Sequence, residues 1–222
     1  MPITRLMLLS LTLLVFPLQA FAIECLPEEA PVVKLRSAIA DTKFVRSNSI
    51  RDLTKVHGSP QQKSKKVLGT GGGAMSIKAN LRFRTATQGR KSCVSLKEIK
   101  AEYVSYPEIH IASNFRKGSC AYNAVLEHEE KHIAILKEFH NEYSQKLKAD
   151  MENLAMQINV TGPVAAKDVQ KVQDEASADL YRWIDSFTRQ ASLILEQRQA
   201  KIDTEEEYKK MSSLCKDMGR SL

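Results

Sequence analysis

Beyond its first eighteen residues the 222-residue chain has no apolar run near the roughly 20 residues that a membrane-spanning helix needs. Glycine is sparse at nine residues, and its one dense group, Gly69-Thr70-Gly71-Gly72-Gly73, is not followed by Gly-Lys-Ser/Thr. A phosphate-cradling loop is disfavoured on that ground, and residues 57 to 74 read as a loop with a flexible turn or lid at its end. No two of the four cysteines have the close spacing of a cysteine-rich zinc site. Aromatic residues are few, and none interleaves with Lys63, Lys65 and Lys66, the one dense basic patch. The net charge of +7 is otherwise spread along the chain, so no nucleic acid is expected as a partner. No internal repeat is present.

The most informative sequence that is present is His128-Glu129-Glu130-Lys131-His132, an HExxH string inside a helical pattern. On an α-helix positions i and i+4 stand about 40° apart and about 6 Å along the axis, so both imidazoles can reach one Zn²⁺ from the same face. Glu129 is turned about 100° from His128, where its carboxylate can serve as general base toward a zinc-activated water. Val125, His128, His132, Leu136, Phe139 and Tyr143 recur at helical spacing and form an inward stripe, while Glu127, Glu130, Lys131, Lys137 and Glu138 fall on the other faces. The plain alternative is a charged helix whose two core histidines are satisfied by hydrogen bonds.

Arg5 precedes an almost wholly apolar Leu6 to Leu18, and Ala20-Phe21-Ala22 offers a small-x-small cleavage site. This is the pattern of a signal peptide over 1–22, cleaved after Ala22, and it implies a secreted or periplasmic protein with no transmembrane segment after cleavage. Glu24, just before Cys25, argues against a lipid anchor. Residues 23–222 fit one domain at this length, strand-rich over 23–118 and helical over 119–222. Cys25, Cys93, Cys120 and Cys215 are an even number bound for an oxidising compartment, which implies two disulfides with three connectivities open. Cys93 with Cys120 and Cys25 with Cys215 is the expected pairing, since the first bond would tie the second strand to the start of the motif helix.

Short strand and helix patterns span Pro31 to Val45 and Ser47 to Val56. Leu81, Phe83 and Thr85 alternate with Arg82 and Arg84 as a half-buried strand. A second strand over Cys93 to Tyr106 slips phase between Leu96 and Ile99 as a bulge would, and Pro107 should break it before a third strand carrying Ile109 and Ile111. Ser119 is the expected N-cap of the motif helix, which runs to about Ile158 and is ended by Thr161-Gly162-Pro163. A second long helix carries Val169, Val172, Ala176, Leu180, Trp183, Phe187, Ala191 and Ile194 on one stripe, and should return antiparallel to the first.

A zinc site needs a third protein ligand. In a hairpin that turns near Gly162, residue 128 lies level with about residue 196. Glu175 and Asp179 are then about 30 Å away, and His140 is about 12 Å along the axis from His132, so none of these fits. Glu196, Asp203 and Glu205-Glu206-Glu207 lie at the right level. Glu207 is the preferred third ligand and Asp203 the alternative, although Thr204 and Glu207 also fit a capping box at the start of a last helix. Tyr208 and His110 are candidates for a transition-state or substrate contact.

The signal sequence, the Gly118-Ser119-Cys120-Ala121-Tyr122-Asn123 run leading into HExxH, and the helical tail with Asp203 resemble a bacterial family of secreted zinc-dependent proteases catalogued as a domain of unknown function. Its later segment reads Tyr-Asp-x-x-Thr-x-His-Gly, whereas Ile202-Asp203-Thr204-Glu205-Glu206-Glu207-Tyr208 keeps the Asp and lacks the His-Gly. The resemblance implies a zincin-like half. The expected fold is α+β, a small antiparallel sheet over the HExxH helix with a long antiparallel helical hairpin and a short C-terminal helix. The expected function is a zinc metalloprotease acting on a peptide or protein substrate laid along a sheet edge, such as the strand carrying Arg82 and Arg84. The rival is a non-enzymatic envelope or assembly protein with at most a structural metal. Oligomeric state is not legible.

Overall fold

A computed structural model of the chain describes residues 24–25, 29–58, 66–158, 160–215 and 218; the signal pattern at 1–22 and Lys63 and Lys65 lie outside the described residues. The class is α+β. In chain order the elements are β1 (Val32–Ile39), β2 (Lys43–Val45), α1 (Ile50–His57), β3 (Gly69–Gln88), β4 (Lys91–Ile111), α2 (Cys120–Gln157), β5 (Val160–Ala165), α3 (Val169–Ala200) and α4 (Glu205–Leu214).

β4 is the spine of the sheet. β3 pairs antiparallel along its whole length through a hairpin turned at Gly89 and Arg90, where Gly89 takes a positive φ of 60°. Along its other edge β5, β1 and β2 lie end to end, opposite Lys91–Ser95, Glu98–Ser105 and Glu108–His110 respectively. β1 and β2 run parallel to β4, so the sheet is mixed and the expectation of an antiparallel sheet is corrected. The physical reason is the crossover. After β2 the chain passes through α1 to the far edge of β4's eventual position, and β3 and β4 then form their hairpin so that β4 fills the gap in the direction of β1.

Two local expectations also change. The phase slip lies where the sequence put it, with Arg82 opposite Glu98 and Phe83 opposite Leu96, but Pro107 does not break the strand. Its missing N–H falls between the end of the β1 pairing at Ser105 and the start of the β2 pairing at Glu108. The glycine-rich stretch is strand as well, because β3 starts at Gly69.

α2 packs on the face of β4 that carries Ile99, Ala101, Tyr103, Ile109 and Ile111, and runs antiparallel to it: Val125 and Ile133 meet Ile109 and Ile111, while Leu147 and Met151 meet Ile99 and Ala101. Ser119 caps it, its side chain accepting from the Tyr122 N–H. α3 returns along α2, with Leu180 and Ile184 near Leu147 and Met151, and Ala191 and Leu195 near Leu136, Phe139 and Tyr143. Arg198 forks onto Glu142 at 2.7 and 2.9 Å. Thr161-Gly162-Pro163 does follow the end of α2, but within β5 and not as a bare turn.

The disulfides are Cys25–Cys93 and Cys120–Cys215, which corrects both expected pairs. With β4 unbroken, Cys93 lies near its start and Cys120 beyond its end, and the 19 residues from Cys93 to Ile111 span on the order of 60 Å. Cys120–Cys215 instead pins the end of α4 to the first residue of α2, and a closed loop of that size stabilises by about 4 to 5 kcal/mol in the chain-entropy account. Both bonds fit an oxidising, extracytoplasmic setting. Among the described residues no helix is long and apolar enough to cross a membrane.

Candidate metal centre

The site forms where three pieces of chain meet: the first turns of α2, the glycine-rich start of β3, and the junction between α3 and α4. On α2, His128, Glu129 and His132 are all buried, and one ligand atom from each lies within 4.8 Å of the other two. The ring centroids of the two histidines are 5.1 Å apart.

The third piece supplies the carboxylate. Asp203 Oδ1 lies 3.2 Å from His128 Nε2 and 3.2 Å from His132 Nε2. Glu207, the preferred third ligand from sequence, is turned to Lys131 and stands 3.9 Å from the other nitrogen of His128, Nδ1. Asp203 is therefore the carboxylate that the structure brings to both Nε2 atoms. Thr204 explains the difference: it is the N-cap of α4 and accepts from the Glu207 N–H, so Asp203 lies just outside the helix facing α2 while Glu207 is held in the first turn. Tyr208 donates from its hydroxyl to Asp203 Oδ1 at 3.1 Å, and its ring is 5.6 Å from that of His128.

Gln199 was not foreseen. Its Nε2 donates to the His132 backbone oxygen at 3.1 Å, which orients the amide so that Oε1 faces His132 Nδ1, with which it is hydrogen bonded. An amide oxygen only accepts, so Nδ1 carries the proton and the Nε2 of neutral His132 presents a lone pair to Asp203. That pairing is satisfied in either of two ways, by a second ring proton that makes His132 an imidazolium or by a metal cation held between the two atoms. Zinc fits this donor set: with bonds of about 2.0 to 2.1 Å, two ligand atoms of a tetrahedral site stand about 3.3 Å apart. Sequence carried a signal for Gln199, since it lies close to the level that hairpin geometry assigns to the motif.

β3 closes the site on a third side. A Cβ added at Gly71 would stand 2.4 Å from the Glu129 backbone oxygen, and one at Gly69 would stand 2.7 Å from Glu129 Oε1. Only glycine lets the strand lie this close to the helix. The nearby Gly71 backbone N–H favours the charged form of the Glu129 carboxylate.

Electrostatics follow from this crowding. Burial pushes the Glu129 carboxyl up to about 7, against the pull of His128 and His132 and with the help of Asp203. Burial opposes charge on Asp203 too, but its bonds to His128, His132 and Tyr208 hold it well below the usual carboxylate range. His132 is disfavoured as a cation by burial, yet its bonds to Asp203 and Gln199 raise it overall. Burial and the Asp203 charge raise the Tyr208 phenol.

Other candidates are not gathered here. His110 lies on β4 between the inward-facing Ile109 and Ile111, so it points to the opposite face of the sheet, 3.3 Å from Glu108. Arg82 is 11 residues along β3 from Gly71, about 36 Å of strand, and Arg82 and Arg84 pair with Glu98 and Glu29. His140 is held by the hydroxyls of Ser37 and Ser105 at 2.7 and 2.8 Å.

Compared with protein-family models, curated proteins and solved structures, the chain matches none. The site's chemistry is read from its own residues.

Proposed function

We propose that the chain is a secreted or periplasmic zinc metallopeptidase in which His128, His132 and Asp203 hold the metal and Glu129 is the general base. The observation that carries this reading is the convergence of two imidazole Nε2 atoms and one carboxylate oxygen beside a buried glutamate. Bound zinc acidifies water and polarises a carbonyl. The remaining work falls to side chains. Glu129, buried beside His128 and His132, is placed to accept a proton from water and return it to a leaving amine. Tyr208 keeps its proton and can donate to an oxyanion as charge develops.

A substrate peptide would add in extended form beside Gly69–Gly73, the part of β3 next to Glu129, and not beside Arg82 and Arg84. The signal pattern at 1–22 and the two disulfides support export.

The test is Glu129→Gln. Because Glu129 acts on the proton and does not complete the coordination shell, the variant should keep its zinc while hydrolysis of a peptide library falls by about 10²- to 10⁴-fold. A wild type that binds zinc and cleaves nothing, or a Glu129→Gln variant as fast as wild type, returns the protein to the assembly reading with a structural metal.

A further inference from the structure

His128 and His132 are treated unequally by their surroundings. The Nδ1 of His132 has its acceptor, Gln199 Oε1, fixed by the reciprocal bond from Gln199 to the His132 backbone. His128 Nδ1 is buried and has no hydrogen-bond partner among the described residues, although the whole residue is only 4 % exposed. An orphaned ring nitrogen at such burial is costly and calls for a partner.

Coordination through Nε2 makes that nitrogen's state explicit. Once the Nε2 lone pair of a neutral imidazole is used, the ring proton must be on Nδ1, where it needs an acceptor. The nearest carboxylate is Glu207, whose Oε1 stands 3.9 Å away across a small cavity lined by His128, Lys131, Glu207 and Lys210. Closing that gap to hydrogen-bond length needs a shift of about 1 Å at the end of a flexible side chain. Glu207 is held nearby by its backbone N–H, which is tied to Thr204, and its carboxylate, which lies against Lys131, is ionised and an acceptor only.

We infer that Glu207 is a positioning residue that accepts the Nδ1 proton of His128 and so presents His128 Nε2 to the metal. Gln199 does the same for His132, one residue on each side of the Asp203 junction. The inference rests on the metal reading of the site, and it reassigns Glu207 from ligand to support. Outer partners of this kind are worth about 10- to 100-fold in metal affinity.

The experiment is zinc affinity by competition with a chromophoric chelator, for wild type, Glu207→Ala, Glu207→Gln and Lys131→Ala, together with proton and nitrogen NMR of the His128 ring in the zinc-loaded protein. Glu207→Ala should weaken zinc binding by about 10- to 100-fold. Glu207→Gln should stay within about threefold of wild type, because the amide oxygen accepts the same proton. Lys131→Ala should also stay near wild type, which separates loss of the acceptor from loss of the ion pair. The His128 Nδ1 proton should resonate downfield in wild type and Glu207→Gln and move upfield in Glu207→Ala. Unchanged affinity in Glu207→Ala overturns the inference alone. Equal losses in Glu207→Gln and Glu207→Ala also overturn it, since they would make Glu207 a direct ligand. Wild type that takes up no zinc overturns the metal reading and the inference with it. Peptide hydrolysis plays no part in these readouts.

Discussion

His132 and His140 stand eight residues apart on the buried side of α2, about 12 Å along its axis, and burial does not distinguish them. Their partners do. His140 stacks on Tyr103 with ring centroids 4.3 Å apart and meets a serine hydroxyl at each nitrogen. A hydroxyl can donate or accept, so either neutral tautomer of His140 is satisfied and no cation is called for. His132 meets an amide oxygen at one nitrogen and a carboxylate oxygen at the other, and His128 shares that carboxylate. Neither of those oxygens can donate. A buried histidine between two acceptors must carry either a second proton or a metal, whereas one between two hydroxyls needs neither.

The largest test of this contrast is metal uptake. His128→Ala combined with His132→Ala should lower zinc affinity by a thousandfold or more, on the order of what two of three protein ligands contribute. His140→Ala should keep its zinc and instead lose about 2 kcal/mol of stability, through two stranded serine hydroxyls and a cavity beside Tyr103. Metal analysis and urea unfolding of the variants decide it. The contrast breaks if His140→Ala also empties the site, or if the double variant stays fully loaded.

What sequence made legible here is local. The i, i+4 spacing of His128 and His132, the Ser119 cap and the inward stripe from Val125 to Tyr143 depend only on helix geometry. The bulge at Leu96 to Glu98 was legible because the alternation of buried residues changes phase there. Long-range features were not. The level opposite residue 128 was put near residue 196, while the motif histidines meet Gln199 and Asp203; the connection is β5 and a short 3-10 turn over Ala166–Asp168, whose extended residues shift the register of the hairpin. The parallel pairing of β1, and hence the disulfides, follow from which strand fills the gap beside it, and no short window of sequence carries that. Gly69 and Gly71 read as a loop because their reason is an approach to Glu129 from another element.

A second test uses pH on metal-free protein. Burial raises the Glu129 carboxyl from 4.5 to about 7 in the fold. Below pH 4.5 it is protonated in both states and its contribution to stability is fully present. As pH rises from 4.5 to about 7 the unfolded chain gives up the proton while the folded chain keeps it, so roughly 3 kcal/mol should be lost across that window. Glu129→Gln, which has nothing to ionise, should show a flatter profile by that amount. His132, also raised, loses stability in the same sense as pH climbs, chiefly through its bonds to Asp203 and Gln199, which both proteins keep; the smaller pull of the Glu129 charge is present in wild type alone. Parallel curves for wild type and Glu129→Gln in chelator-treated urea unfolding would mean that Glu129 is ionised freely in the folded state.

The smallest effect belongs to His140 and has the opposite sign. Burial lowers its folded pKa below the ordinary 6.5, with no carboxylate among its hydrogen-bond partners to oppose the shift. Above pH 6.5 it is neutral in both states and contributes its full share of stability. As pH falls below 6.5 the unfolded chain takes up a proton that the folded chain resists, so stability falls toward acid until the folded pKa is passed. His140→Gln keeps a donor and an acceptor for the two serines and cannot charge, so its loss of stability between pH 7 and pH 5 should be smaller than that of wild type. The same substitution should leave zinc affinity unchanged. A wild type and a His140→Gln variant that decline together toward acid would show that the serine pair lets His140 charge in place, and the contrast between the two ends of α2 would then rest on Asp203 alone.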